Sequence, residues 1–305
     1  MKKILITGAN GLLGQKLVSL LSQQQDVNLL ATAKDICRFS LPDNVAYRNL
    51  DVTNADACYD LFIEFEPNVL IHTAAMTQVD TCEDEREMCD RINVSGVSNL
   101  IKAIGNRNTH FVHISTDFIY EGDEQEYFED SKVNPLSHYG RSKLKSEQLF
   151  EKVHFPYSIL RTVLVYGVLQ DLSRSNIVLW AKSALEKGEK IDVVDDQYRC
   201  PTLAEDLACA CLQVIQENAT GVYHVSGKDF LSILELVFEI ADYWCLDKSL
   251  INSISTAGLN QKARRPFKTN LNLTKAKQRF NYKPKSFREG LKLLDQQLKK
   301  IKLKE

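Results

Sequence analysis

A tyrosine and a lysine stand four residues apart in Ser137-His-Tyr139-Gly-Arg-Ser-Lys143. On a helix that spacing puts both side chains on one face, one turn apart. A lysine ammonium held beside a phenol favours the phenolate, which predicts a Tyr139 pKa lowered toward neutral. Such a phenol can hand a proton to a carbonyl, or take one from an alcohol, near pH 7. A Tyr–Lys pair at this spacing also occurs as an ordinary surface pair, so the elements around it must decide.

The chain opens with an apolar strand, Lys3 to Thr7, then Gly8-Ala-Asn-Gly11-Leu-Leu-Gly14, then a helix periodic through Leu17, Leu20 and Leu21. Strand, glycine turn and helix in that order form a dinucleotide-binding arrangement. Gly8 permits the tight turn, Gly11 lets backbone approach a pyrophosphate, and Gly14 lets the helix pack closely on the strand. Val27 to Ala31 reads as a second strand. It ends Thr32-Ala33-Lys34, with Arg38 nearby and no carboxylate at the strand end. Lys34 is placed to meet a 2′-phosphate, which favours NADPH; Asp35, one residue on, keeps NADH open.

Val45 to Leu50 is a third strand, with Asp51 and Val52 placed to contact an adenine. Asp56 to Phe65 reads as a helix and Pro67 to Ile71 as a fourth strand running into His72-Thr-Ala-Ala75, whose small residues would let a cofactor lie over the strand ends. His72 reads as a packed strand residue rather than a ligand. Cys82 to Gly105 reads as one long helix. Asn93 in its middle is unfavourable by propensity, which points to a polar role inside. Thr109 to Ser115 is a fifth strand, with Thr116 and Asp117 at its carboxyl end, where doubly wound sheets place their sites. Tyr157 to Arg161 is a sixth. The alternation predicts an α/β fold, a doubly wound parallel Rossmann sheet with a small C-terminal substrate lobe. The expected division is residues 1–162 as the NAD(P)-binding domain and 163–305 as the smaller lobe, interleaved with the first. Within the latter, Ser175 to Lys187, Ala204 to Glu217, Leu231 to Tyr243 and Phe287 to Leu303 read as helices, Gly221 to Val225 as a short strand, and Gln261 to Asn272 as irregular.

Composition narrows the class. The chain has 305 residues, 26% charged, and its formal net charge of −2 argues against a nucleic-acid binder, which normally shows a basic face. The lysines from Lys292 to Lys304 read as a solvated helix end. No apolar run approaches the roughly 18–20 residues that span a bilayer, and Gly8 and Asn10 cut the first apolar segment too short for a signal peptide. The eight cysteines include no CxxC pair with zinc spacing. They read as reduced thiols of a cytoplasmic protein with no metal site.

Gly8, Gly11 and Gly14, then Ser115-Thr116-Asp117, then Tyr139 and Lys143, in that chain order, resemble the extended short-chain dehydrogenase/reductases. Within them the chain is similar to the dTDP-4-dehydrorhamnose reductase branch. His72 to Asp80, Ser115 to Tyr120, Arg161 to Gly167, Asp196 to Thr202 and Arg265-Pro266 carry that similarity over nearly the whole chain. The resemblance implies an oxidoreductase that reduces a keto carbon of a nucleotide-sugar with NADPH or NADH. It implies Tyr139 as proton donor, Lys143 on the nicotinamide ribose, Thr116 on the substrate carbonyl and Asn93 in a proton relay through Lys143. It places Gly8, Asn10, Gly11, Leu12, Leu13, Gly14, Asp51, Val52, Ala74, Ala75, Met76 and Ile114 along the cofactor. Asp117, Leu164, Arg199 and Arg265 would face the sugar-nucleotide. The branch usually has Gly at the position of Arg199, and Lys262 to Phe267 is more basic than the branch leads one to expect. Arg264 and Arg265 read either as a diphosphate clamp or as a solvated loop. The expected partner is a nucleotide-sugar, with a homodimer left open and no nucleic acid or membrane. Two other functions fit the same motifs: a nucleotide-sugar epimerase or dehydratase, and a non-catalytic NADP-binding subunit like the regulatory subunit of methionine adenosyltransferase.

Overall fold

The computed structural model describes residues 1–171, 175–259 and 261–302. Leu303 and Lys304, which the sequence places at a helix end, lie outside them. Seven parallel strands form the central sheet, in the order Gly221–His224, β6 (Tyr157–Thr162), β5 (His110–Thr116), β4 (Val69–His72), β1 (Lys2–Thr7), β2 (Val27–Ala33) and β3 (Val45–Asn49). The chain runs outward from β1 to β3, then returns to β4 on the other side of β1. The switch point therefore falls between β1 and β4, where such sheets open a crevice at the strand ends.

Strand periodicity sorts the core into two layers. Ile4, Ile6, Leu29, Ala31 and Ile71 point to one face and pack on Leu17, Val18 and Leu21 of α1 (Leu12–Leu21) and Leu207, Cys211 and Val214 of α8 (Ala204–Gln216). Leu5, Leu30, Leu70 and Phe111 point to the other and pack on Leu61 and Phe62 of α2 (Ala55–Phe65) and on Val97, Leu100 and Ile104 of α5 (Gly96–Ile104). A separate apolar cluster holds the C-terminal region together. It joins Val178 and Leu185 of α7 (Ile177–Glu186), Leu236 and Ile240 of α9 (Ile233–Tyr243), and Leu291 and Leu294 of α11 (Phe287–Lys302).

The span read as one long helix from Cys82 is broken. It comprises α3 (Val79–Asp84), α4 (Arg86–Asp90), a π-helical turn Arg91–Ser95 and α5. Glu85, at φ −116° and ψ 56°, leaves helical geometry. The π turn contains Asn93, whose side chain turns inward to the backbone of Met76; such turns are characteristic of functional regions. Within Gln261 to Asn272, the short strand Lys268–Thr269 pairs with Tyr198–Arg199. Among the described residues no helix is long and apolar enough to cross a membrane.

Four histidines are buried in or beside the sheet: His72, His110, His113 and His224. Burial holds His72 and His224 down to about 3 and His110 down to about 4, and pushes His113 well below its ordinary value. The folded chain keeps these rings neutral, whereas the unfolded chain protonates them near pH 6.5. Stability is therefore fully present above pH 6.5 and is lost as pH falls from there toward about 3. Urea midpoints should drop as pH falls below 6.5. His72→Asn should flatten that drop by up to about 1.4 kcal/mol per pH unit; an unchanged slope would mean His72 is protonated in the native sheet.

Candidate active site

Polar side chains line the inward face of α6 (His138–Gln148): Ser142, Lys143, Ser146 and Glu147 are all buried. Ser137 caps the helix, its hydroxyl accepting from the Gly140 amide at 3.2 Å. Gly140 sets how close the helix comes to the sheet, because a Cβ there would lie 2.2 Å from the Phe118 carbonyl oxygen. That approach brings Tyr139 beside Thr116, the last residue of β5, with which its hydroxyl hydrogen-bonds. Tyr139 is half-buried while its hydroxyl end is desolvated, and its ring meets Phe118 edge-to-face at 5.8 Å between centroids.

Tyr139, Lys143 and Thr116 border a cavity of about 400 Å³ that also reaches Gly11, Leu12 and Leu13 of the first turn. The glycine turn fits a dinucleotide on its own geometry. Gly8 has φ 76°, and a Cβ on it would sit 2.6 Å from the Ala74 amide nitrogen; one on Gly14 would sit 2.3 Å from the Gly8 carbonyl oxygen. Gly11 caps α1 without a side-chain hydrogen bond, so the first amides of the helix are left open at the cavity for an anion. Ala74, Ala75 and Ile114 border the same space.

Electrostatics at the site differ from the expectation of a lowered phenol. Burial pushes the Tyr139 pKa up; the Thr116 hydrogen bond pulls against it and the Asp117 charge adds to it. Lys143 is 3% exposed. Desolvation brings it down to about 8, with Glu147 acting in the opposite sense. Its Nζ meets His113 Nε2 at 3.4 Å rather than the phenol. At neutral pH the phenol thus holds its proton in this state.

Asn93 does not bond Lys143. Its Oδ1 accepts from the Met76 amide at 2.8 Å and its Nδ2 donates to the Met76 carbonyl at 3.0 Å and to Ser142 Oγ at 3.0 Å. It fastens the segment after β4 to α6, and Met76 enters through its backbone. Asn10 is likewise engaged: its side chain takes the Arg38 amide at 3.0 Å and gives to the Ile36 carbonyl at 2.8 Å, holding the loop after β2. Lys34 is exposed at the end of β2 and pairs with Asp51 at 3.4 Å. That pairing, with two hydrogen bonds from Thr53, helps lower the Asp51 pKa against its own desolvation. Val52 packs against Gly96, where a Cβ would lie 2.8 Å from its Cγ2.

On the opposite wall, Asp117 is 2% exposed, and burial pushes its carboxyl up. Its Oδ2 accepts from Thr269 Oγ1 at 2.6 Å and lies 3.8 Å from Arg199 Nε. Arg199 is buried and donates to the carbonyls of Tyr198, Pro266 and Phe267. Leu164 borders the cavity at φ 38°, a backbone region uncommon for a branched apolar residue, and Thr202 ties the carbonyls on either side of that bend. Arg265 stands apart from the cavity. Its guanidinium forks onto Asp80 at 2.7 and 3.2 Å, so it is neither a free clamp nor a solvated loop cation. His113, Ser142 and Phe118 were not singled out by sequence. The spacing of Ser142 and Ser146 beside Lys143 on α6 was the signal available for a buried polar face.

The RmlD substrate binding domain model matches residues 1–300. A dTDP-4-dehydrorhamnose reductase of Aggregatibacter actinomycetemcomitans is 31% identical over 304 residues, 96% of this chain and 98% of that protein. Among solved structures, a dTDP-4-dehydrorhamnose reductase of Clostridium acetobutylicum superposes with a TM-score of 0.85 at 30% identity, covering 97% of this chain and 99% of the other. The Bacillus anthracis reductase in complex with NADP gives 0.83 at 28% identity, covering 97% of this chain and 100% of the other. By whole-length sequence match and shared architecture, the chain belongs to the family of the RmlD substrate binding domain.

Proposed function

We propose that the chain is an NADPH-dependent reductase of a 4-keto nucleotide-sugar, of the dTDP-4-dehydrorhamnose reductase type. The observation that carries this reading is one cavity bounded by the open N-terminus of α1 at one end and by Thr116, Tyr139 and Lys143 at the other. A bound nicotinamide supplies the hydride. Thr116 and Tyr139 hold the substrate carbonyl oxygen, and the protonated phenol gives its hydrogen to that oxygen as negative charge develops. Lys143 then faces a phenolate, and its ammonium stabilises it. The N-terminal amides of α1 hold the pyrophosphate; Lys34, drawn from Asp51, holds the 2′-phosphate; Asp51 and Val52 flank the adenine. NADH is the weaker cofactor in this reading. Residues 163–305 supply the smaller substrate lobe, interleaved with the first domain through α8 and the strand Gly221–His224, with Leu164, Arg199 and Asp117 walling the sugar-nucleotide.

Asp117 favours one second reading. A dehydratase needs an acid beside this threonine, and burial keeps the Asp117 carboxyl readier to hold a proton than an ordinary carboxyl. NADPH oxidation measured across dTDP-, UDP- and GDP-4-keto sugars should give turnover with the dTDP compound. Elimination of water from a 4-hydroxy nucleotide-sugar would select the dehydratase, and NADPH binding with no turnover on any sugar would select a binding subunit.

Tyr139→Phe should lower kcat by roughly 10²–10⁴-fold and leave the NADPH dissociation constant within about twofold, since only the acid is lost. Wild-type turnover in that variant would remove Tyr139 from the chemistry. Lys34→Glu should weaken NADPH more than NADH in a fluorescence titration; an equal loss for both would place the 2′-phosphate elsewhere.

A further inference from the structure

His113 lies on β5, three residues before Thr116, and is fully buried. Its ring stacks on His72 at 5.7 Å between centroids and 11° between planes, and Phe111 and Phe150 pack on it at 6.2 and 5.4 Å. Its Nδ1 has no hydrogen-bond partner. Its Nε2 has two neighbours, Ser146 Oγ at 3.0 Å and Lys143 Nζ at 3.4 Å. These two make opposite demands. Ser146 spends its hydroxyl hydrogen on the Lys143 carbonyl at 2.7 Å, so toward the imidazole it offers only lone pairs and favours a hydrogen on Nε2. An ammonium at Nζ has hydrogens only and favours a bare Nε2. A neutral imidazole cannot satisfy both, and burial beside Lys143 and His72 keeps the ring from becoming a cation.

We propose that His113 is a positioning residue for the reduction: its Nε2 accepts a hydrogen from the Lys143 ammonium and holds that head at the carboxyl end of the sheet, its own hydrogen being displaced to Nδ1. The charge-assisted bond outweighs the bond to Ser146 because the donor is ionised and the surroundings are dry. Leaving the Nδ1 hydrogen without a partner is the strain this arrangement accepts. The groups facing Lys143 are Glu147 on its own helix, His113 and His72 on β5 and β4, and Cys89 on α4; Glu147 and Cys89 act to raise its pKa against burial. The kinetic consequences rest on the reductase reading, whereas the proton's position on His113 does not.

Two-bond ¹⁵N–¹H spectra of ¹⁵N-histidine-labelled protein, with the His113 signals assigned by their loss in His113→Gln, test the proton position directly. The wild type should show His113 with a bare Nε2. Lys143→Met, which removes the ammonium and keeps the Ser146 bond, should move the hydrogen to Nε2. An Nε2-protonated ring in the wild type, or the same tautomer in both proteins, overturns the proposal whether or not the protein turns over a sugar.

Kinetics supply the second arm. His113→Leu removes the acceptor, so Lys143 should lose its proton at lower pH. The alkaline limb of the kcat profile should move down by about one pH unit and kcat at pH 7.5 should fall roughly threefold, with KM for the sugar within about twofold. His113→Gln, whose amide oxygen can accept from Nζ, should restore most of both. Loss of activity in proportion to lost folded protein, without a shifted limb and without rescue by Gln, would make His113 a core residue only. Absence of turnover in the wild type would instead remove the reductase reading and leave the spectra to decide.

Discussion

Glu147 stands one helical turn beyond Lys143 and takes the guanidinium of Arg161 at 2.7 Å together with the hydroxyl of Ser115. This ion pair lies inside the protein, with side-chain exposures of 8% and 6%. Leaving either partner of such a pair alone costs roughly 3–5 kcal/mol, so the two side chains hold each other in place. The negative charge of Glu147 opposes the desolvation of Lys143 and leaves the lysine at about 8 rather than lower. About nine-tenths of Lys143 is then charged at pH 7. Arg161 in turn bonds Tyr120 and the Glu129 carbonyl, which joins the ion pair to the loop after β5. The ammonium at the cleft therefore depends on a pair buried one turn behind it.

In the proposed reduction, phenol and ammonium serve at different moments. A donor in a reduction must begin with its proton, and burial gives Tyr139 that form. The lysine matters once the proton has left, when a phenolate must be tolerated in a dry site. Inferring a lowered phenol from the spacing of the two residues treats both moments as one. It also omits desolvation, which for a half-enclosed tyrosine exceeds the field of a lysine whose head is turned toward His113.

Local signals made much of this legible. The glycine turn, the six strands up to Thr162 and the Tyr139 helix are each written in neighbouring residues, because a turn, a pleat or a helical face is satisfied within a few positions. Contacts between distant segments were not. Gly221–His224 pairs with β6 through a register that no local pattern encodes, and α8 packs on α1 through apolar faces common to many helices. Asn93 announced itself as a misplaced polar residue, yet its partners are a backbone 17 positions away and Ser142, 49 away. Arg265 carried charge without direction until Asp80, 185 residues earlier, closed on it.

The same long-range contacts bear on how the cleft accepts a ligand. Arg199 reaches three backbone carbonyls and approaches Asp117, Thr269 bonds that carboxylate, and Thr202 bonds the Val163 carbonyl at 2.6 Å. Asp80 adds a tie from the sheet side to the Ala263 amide and to Arg265. Swinging residues 198–203 and 263–269 away from the sheet as a flap would take Thr269 and Arg199 from the buried Asp117 and Thr202 from the Val163 carbonyl. Each buried group so exposed to the interior costs about 1–3 kcal/mol, more when charged. The wall carrying Asp117, Arg199 and the left-handed bend at Leu164 therefore belongs to the fixed architecture. On the proposed reductase reading, discrimination among sugars falls to the shape and charge of those side chains rather than to closure of the C-terminal half.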